Sequence, residues 1–378
     1  MTTEKQKKRF RITDEAPFEA LRIIVSILIA LVVTFIVLCV VIEGDSLPQR
    51  IGNAWTTFIA LMTYPCKNLF YFGYVLVKMV PLTFAGLATL LYFRTGLFNL
   101  STEGIFYFAG VACTYFAVSE TRLTGNAFID SAICIIAAGL CGGVIALLPG
   151  ILKAKFQADE MVISLMMNNI LFGIGFWIIK TYLATTGVTG TSSAPFVQSA
   201  RLTTIIPKTQ VHSGIILVLI MVVFVYILLF KTKIGYAIRI TGLNQNFARY
   251  SGMGAFGLFM VVHFLAGFIG GMGSAVELLG VYQSFTWAQL PGLGFTGALM
   301  AMLGKNHPIG VAVAAFGISY LRASAQLLAN SSPVIDIKLV SVVEVILTLL
   351  ISSQYFLRGW RERQLLKEVT NYKQSREF

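Results

Sequence analysis

The residue types that do chemistry are scarce in this sequence, and their spacing argues against catalysis. The three histidines, His212, His263 and His307, are scattered and make no H-E-x-x-H pair, the spacing that sets two zinc ligands on one helix face. The five cysteines, Cys39, Cys66, Cys113, Cys134 and Cys141, show no C-x-x-C spacing, and most fall in apolar runs, where a thiol behaves as a small hydrophobe. Gly304-Lys305 resembles the end of a phosphate loop, but Leu299 stands where that loop needs glycine and Asn306 where it needs Ser or Thr. No His/Asp cluster and no acid pair at helical spacing supports a membrane-embedded enzyme. No catalytic residue and no metal ligand is therefore assigned. What remains is a set of polar side chains in apolar surroundings: Asn99, Ser101, Glu103, Asn168, Asn169 and Glu277. Such groups near mid-membrane are costly unless they face water, protein or a solute, so they mark a candidate pathway.

The elements that must position them are membrane helices. Hydrophobic residues make up 56% of the 378 and charged residues only 12%, against about 25% charged in soluble chains. About ten apolar segments approach the roughly 20 residues needed to span a bilayer. They lie near 22–43, 71–93, 103–119, 129–149, 160–183, 214–230, 256–279, 291–304, 308–327 and 338–357. Helix is the expected form, because isolated strands leave backbone groups unsatisfied in lipid and the runs lack the alternation of a barrel. The first run, Ile23 to Ile42, is uncharged and ends at Glu43-Gly44-Asp45. It is longer than the apolar core of a secretory signal, so it reads as a retained helix. The net charge of +12 follows from topology rather than from nucleic-acid binding. With the amino terminus in the cytoplasm, 20 of the 29 Lys and Arg residues fall on the inner side, which places both termini there. Residues 1–21 are then a basic cytoplasmic tail, 22–357 the transmembrane domain and 358–378 a second cytoplasmic tail.

Several stretches depart from plain membrane anchors. Residues 44–70, with Trp55, Tyr64, Pro65 and Tyr71, suit a short interfacial helix. Residues 184–213 form a polar outer loop long enough to contact an external partner. Around Asn99, Ser101 and Glu103 two readings stand: irregular backbone lining a cavity, or an ordinary inner turn in which Ser101 caps the next helix and Glu103 complements its dipole. Ala266/Gly270/Ser274 and Gly267/Gly271/Ala275 repeat small residues every four positions, a ladder that lets helix backbones approach. Pro291 to Gly304 offers about 14 residues, ~20 Å of helix against a core of ~30 Å; short, glycine-interrupted segments of this kind point to broken helices around a transport site. After Lys231 comes an amphipathic stretch with Gly235, Arg239, Gly242, Asn244, Ala248, Tyr250 and Gly252, which suits a short helix docking a soluble partner on the inner face.

Four passages together resemble the transmembrane subunits of ABC importers of the simple-sugar, branched-chain amino acid and nucleoside permease class. They are Gly96 to Gly104, Leu152 to Phe156 with Asp159 to Asn169, Gly235 to Gly252, and Gly292 to Gly297 through His307-Pro308. The third is the most specific, since that class places its ATPase-coupling helix there with a similar Gly…Arg…Gly-x-Asn…Ala-x-Tyr-x-Gly pattern. The resemblance implies a type II ABC importer-like permease fold, all α-helical, with residues 231–252 coupling to cytoplasmic ATPase subunits. It also implies a second, different permease chain and an extracytoplasmic substrate-binding protein. ATP and magnesium would be used by the partner ATPase, with no cofactor bound by this chain. The nearest subgroup is the purine-nucleoside importers. For a nucleoside, the amide and carboxylate groups named above could hydrogen-bond base and ribose, while Phe98 or Phe295 could stack. Ser101-Thr102 departs from the more usual Gly-Ala of the class. The competing expectation is an ion-coupled carrier that needs no ATPase; such carriers often hold buried Asp or Arg pairs, and mid-span acids are few here.

Overall fold

The structure is a computed structural model that describes residues 29, 31–33, 35–40, 47–184 and 192–331. The expected segment 338–357, most of 22–43, residues 185–191 of the long loop and both tails lie outside the described residues. Residues Thr63–Leu327 form one compact unit, and the described residues before and after it belong to another.

In the second unit, α1 (Leu31–Val40) and α2 (Leu47–Thr63) are helical. Trp55 stacks on Phe58 at 6.1 Å, and Phe35 sets its edge against both rings. The stretch expected as a short interfacial helix is thus 17 residues long.

The larger unit contains α3 (Leu69–Arg94), α4 (Thr102–Ala117), α5 (Ala127–Phe156), α6 (Glu160–Ile178) and α7 (Gly214–Lys231). The short α8 (Lys233–Leu243) and α9 (Gln245–Tyr250) follow, then α10 (Ala255–Val281), α11 (Leu293–Leu303) and α12 (Pro308–Ser331), which belongs to this unit as far as Leu327. Among the described residues six helices are long and apolar enough to cross a membrane: α3, α5, α6 with its π-helical end to Leu183, α7, α10 and α12. The chain is a multi-pass membrane protein. Two segments expected near 103–119 and 291–304 form α4 and α11, of 16 and 11 residues, ~24 Å and ~17 Å long and so short of a bilayer's width.

The first N–H groups of a helix have no partner within it and are satisfied by side chains, most strictly where water is absent. Asn68, Asn126, Asp159, Thr232 and Asn244 each do this with a side-chain oxygen on a first-turn N–H, at α3, α5, α6, α8 and α9. Asp159 accepts from Met161 and Val162, and the ion pair Lys153–Glu160 at 2.9 Å bridges the turn before it.

The centre of the bundle is α3 against α10. Every residue of α3 from Val80 to Tyr92 is buried, so this helix is enclosed by protein, not lipid. The outer helices differ: α5 exposes Ile136, Leu140, Val144 and Leu148, a stripe at four-residue spacing suited to lipid. The small-residue ladder of α10 does what its spacing predicts. A Cβ at Gly267 would fall on the Gly142 carbonyl oxygen, and one at Gly271 on that of Ala138. Here α10 and α5 meet backbone to backbone. On the other ladder Gly270 faces Thr102 and Ala88 at ordinary contact distance, 3.6 and 3.7 Å.

Candidate functional site

Two half-helices meet N-terminus to N-terminus beside the enclosed stretch of α3. After Arg94 the chain turns through Gly96, whose φ of +78° suits glycine, and folds back so that Thr102 Oγ1 lies 3.3 Å from Thr89 Oγ1. From there α4 runs antiparallel to α3: Thr102 shares a neighbour, Gly270, with Ala88, and Phe106 shares Gly273 with Phe84. By contrast α11 runs parallel to α3, with Gly297 against Ala85, Met300 beside Gly86, and the Asn306 carbonyl accepting from Arg94 Nε at 2.6 Å. The two short helices therefore leave one point in opposite directions.

That point is closed by Glu103. Its Oε1 accepts from Gly292 N at 2.6 Å, and its Oε2 from Gly294 N at 2.6 Å and Phe295 N at 3.2 Å. One buried carboxylate thus caps the other helix, while its own backbone sits at the positive end of α4. Gly292 reaches the geometry with φ of +74°, and a Cβ at Gly294 would fall on the Glu103 backbone nitrogen. Glu103 stands in the first turn of α4, as the inner-turn reading expected, and the expectation that Ser101 caps that helix is corrected. Ser101 makes no side-chain capping bond; Asn168, from α6, accepts from Gly104 N at 2.8 Å and donates to Leu100 O at 3.0 Å instead.

The returning loop is fixed by a chain of buried bonds. Asn99 Oδ1 accepts from Ser101 N at 2.8 Å, and Asn99 Nδ2 lies 3.2 Å from His263 Nε2. His263 Nδ1 is 2.8 Å from the Phe259 carbonyl, so Nδ1 carries the proton and Nε2 accepts from the amide. The sequence-predicted residues Asn99, Ser101, Glu103, Asn168 and Phe295 are thus gathered at one junction. Asn169 is not among them: it is exposed on α6 and bonds its own helix at Leu165 O, 3.2 Å. Phe98 is exposed and stacks on Phe93 at 5.3 Å and 6°. Glu277 stands about four turns beyond His263 along α10, buried, with Oε2 and the Ser274 Oγ one turn before it both lacking a hydrogen-bond partner among the described residues. Sequence reasoning missed His263 and the backbone of Gly292 and Gly294; nothing in the spacing ties either to Asn99 or Glu103.

The loop expected to dock a partner forms two helices rather than one. Asn244 ends α8 and starts α9, its Oδ1 accepting from Phe247 N at 3.0 Å. A Cβ at Gly235 would strike the Leu228 carbonyl, and one at Gly242 the Arg94 carbonyl, so α8 is seated directly on the ends of α7 and α3. Ala248 is buried. Arg94 and Arg239 both face the Phe230 ring, at 5.9 and 5.3 Å, a favourable placement for guanidinium groups. His307 packs on the same ring at 5.2 Å, and burial and then the charge of Arg94 hold it below the ordinary histidine range. Outward, the loop exposes Tyr236, Leu243, Phe247 and Tyr250, the last 91% accessible. Gly252, with φ of +80°, closes it.

No group of three or more His, Cys, Asp or Glu residues suited to a metal occurs among the described residues. The family described as branched-chain amino acid transport system / permease component matches residues 71–352. The guanosine ABC transporter permease protein NupP of Bacillus subtilis is 29% identical over 326 residues, covering 85% of this chain and 90% of its own. The glucose ABC transporter permease protein TsgB13 of Haloferax volcanii is 29% identical over 75% of this chain and 77% of its own. The nucleoside ABC transporter permease protein NupB of Lactococcus lactis is 26% identical over 75% and 80%. No solved structure matches the chain significantly.

Proposed function

The chain belongs to the branched-chain amino acid transport system permease family, and on that premise we propose that it forms the membrane path of an ATP-driven importer for nucleosides or a related ribose-containing or simple-sugar solute. The relatives named for guanosine, nucleosides and glucose support that substrate range. The observation that carries the coupling is the α8–α9 loop. It is seated on backbone at its inner side and presents Tyr236, Leu243, Phe247 and Tyr250 outward, the pattern of a surface made for another protein.

In this reading Gly235, Arg239, Gly242, Asn244, Ala248, Tyr250 and Gly252 shape the contact with a cytoplasmic ATPase that holds ATP and magnesium. A second, related permease chain completes the pathway, and an extracytoplasmic binding protein delivers the solute. Ten membrane segments with both termini cytoplasmic, arranged as a type II importer permease in the cell membrane, fit the distribution of Lys and Arg. The pathway passes the junction of α4 and α11. Glu103, Asn99 and Asn168 spend their polar atoms on backbone and on His263, so they build its wall. Ser101, Glu277, Phe98 and Phe295 are the groups left to meet a solute, while Asn169 stands off the junction on the exposed face of α6.

Uptake of labelled guanosine into vesicles holding this chain with its partner subunits tests the reading. Competition by other nucleosides or ribose, but not by amino acids, is the expected outcome. Uptake that persists without ATP hydrolysis, driven by an ion gradient, would reject it.

A further inference from the structure

Away from the junction and the docking loop, a cavity of about 740 Å³ opens between the first turns of α5 and α7. That volume lies within the ~300–1,000 Å³ of pockets that enclose small ligands. Its walls are apolar: Ala132, Ile135 and Ile136 of α5 stand across from Leu217 and Ile220 of α7. Ile136 and Ile220 are exposed, so the slot opens on the flank of the bundle. Its rim carries one cation, Arg201. The segment that bears Arg201 packs against α5 and joins the start of α7 through the Ser213 N–H to Thr203 carbonyl bond, 3.0 Å. Arg201 therefore stands where both helices begin, and the apolar walls continue from it toward the middle of the membrane.

Two features select the occupant. From Ala127 to Ile136 the α5 wall spans nine steps, ~14 Å at 1.5 Å per residue; one leaflet's share of a ~30 Å hydrocarbon core is about 15 Å. The slot has the depth of a single leaflet. The Arg201 guanidinium makes no ion pair or side-chain hydrogen bond with any described residue. Asp130 in the first turn of α5 spends its carboxylate on Thr124 and Gly125. Five fixed donors beside the start of α7, where Ser213 makes no side-chain capping bond, match a phosphate diester. We propose that this slot holds one acyl chain of a phospholipid whose headgroup phosphate is bound by Arg201, with an anionic headgroup preferred. A soluble phosphate compound would leave the apolar walls unused.

The assembled transporter in vesicles of phosphatidylglycerol and phosphatidylcholine, with a diazirine in the acyl chain of the former, gives a site-specific readout. Mass spectrometry should find label on residues 131–136 or 216–220. Arg201→Gln should lower that label about fivefold, the effect of one basic residue at an anionic surface, while Arg201→Lys keeps most of it. Ala132→Phe should abolish it by filling the slot. Label on the exposed face of α6, at Met166 and Ile170, should be unchanged in every variant, which separates loss of the site from loss of the fold. Slot label that ignores Arg201, or that excess inorganic phosphate displaces, would overturn the proposal. So would an unlabelled slot in which Ile136→Cys cross-links to a partner subunit, since the groove would then be a subunit seam.

Discussion

Glu103→Gln removes one negative charge and one of two acceptor oxygens from the junction of α4 and α11. The carboxylate now takes three N–H bonds, one on Oε1 and two on Oε2. A glutamine keeps the pair on Gly294 and Phe295 by placing its carbonyl there, which turns its NH₂ group against the Gly292 N–H. The Gly292 donor is then buried without a partner, at about 1–3 kcal/mol. The two retained bonds become neutral, and the two helix N-termini lose a countercharge worth ~0.3–1 kcal/mol each. Together these amount to about 2–5 kcal/mol. The assay is denaturant titration of the purified chain in detergent, followed by tyrosine and tryptophan fluorescence. Glu120→Gln, on an exposed turn, is the control and should stay within about 0.5 kcal/mol of wild type. Gly294→Ala, whose methyl would fall on the Glu103 backbone, should destabilise by a comparable amount. If Glu103→Gln matched the control, the carboxylate would not be closing the junction.

Further outcomes test other parts of the molecule. Gly242→Ala drives a methyl into the Arg94 carbonyl, so transport should fall sharply while the chain still inserts; normal substrate-stimulated ATP hydrolysis in a reconstituted complex would refute the role of that contact. Glu277→Ala, by removing a group left to meet the solute, and Asn99→Ala, by loosening the wall it bonds, should each reduce uptake without loss of assembly, measured across a range of substrate concentrations; wild-type rates in both would remove the proposed pathway. Burial in the loop before α7 pushes His212 down to about 4, so it folds neutral. An unfolded histidine near its ordinary value of about 6.5 takes up a proton first, so stability should be level above about pH 7 and decline by up to about 3 kcal/mol as the pH drops from about 6.5 to 4. His212→Gln should flatten that profile in thermal unfolding. A cysteine in place of Tyr372 should react with an impermeant maleimide only after the membrane is permeabilised; labelling in intact cells would invert the topology.

What the sequence makes legible is whatever depends on local period. The α10 ladder is readable because residues four apart share a face, and Gly267 and Gly271 meet α5 as that spacing requires. The brevity of α11 is readable from 14 residues between Pro291 and Lys305. The bond that gives α11 its purpose is not, because Glu103 and Gly292 are 189 residues apart and no periodicity links them. His263 looks like a stray histidine for the same reason: its partner Asn99 lies 164 residues away. Asn168 and Asn169 show both cases at once. Successive helical residues point about 100° apart, so only one could face inward, and the sequence alone did not say which. The division of the docking loop at Asn244 had a local signal, an N-cap residue followed by a helical run, which the expectation of a single helix passed over.

The seat of α8 on Gly242 and Gly96 has a mechanical consequence. Side chains at a helix contact can change rotamer and absorb a small displacement; backbone facing backbone, with Gly96 Cβ space only 3.3 Å from the Gly242 Cα, has no such slack. A shift of α8 is therefore handed to the Gly96 turn almost undiminished. Five residues on, that turn becomes Ser101, and the next helix starts with the carboxylate that grips α11. In the proposed reading, a push on the outer face of α8 would arrive at the meeting point of the two half-helices as a movement of the main chain, because the Gly96–Gly242 contact leaves no side chain to absorb it.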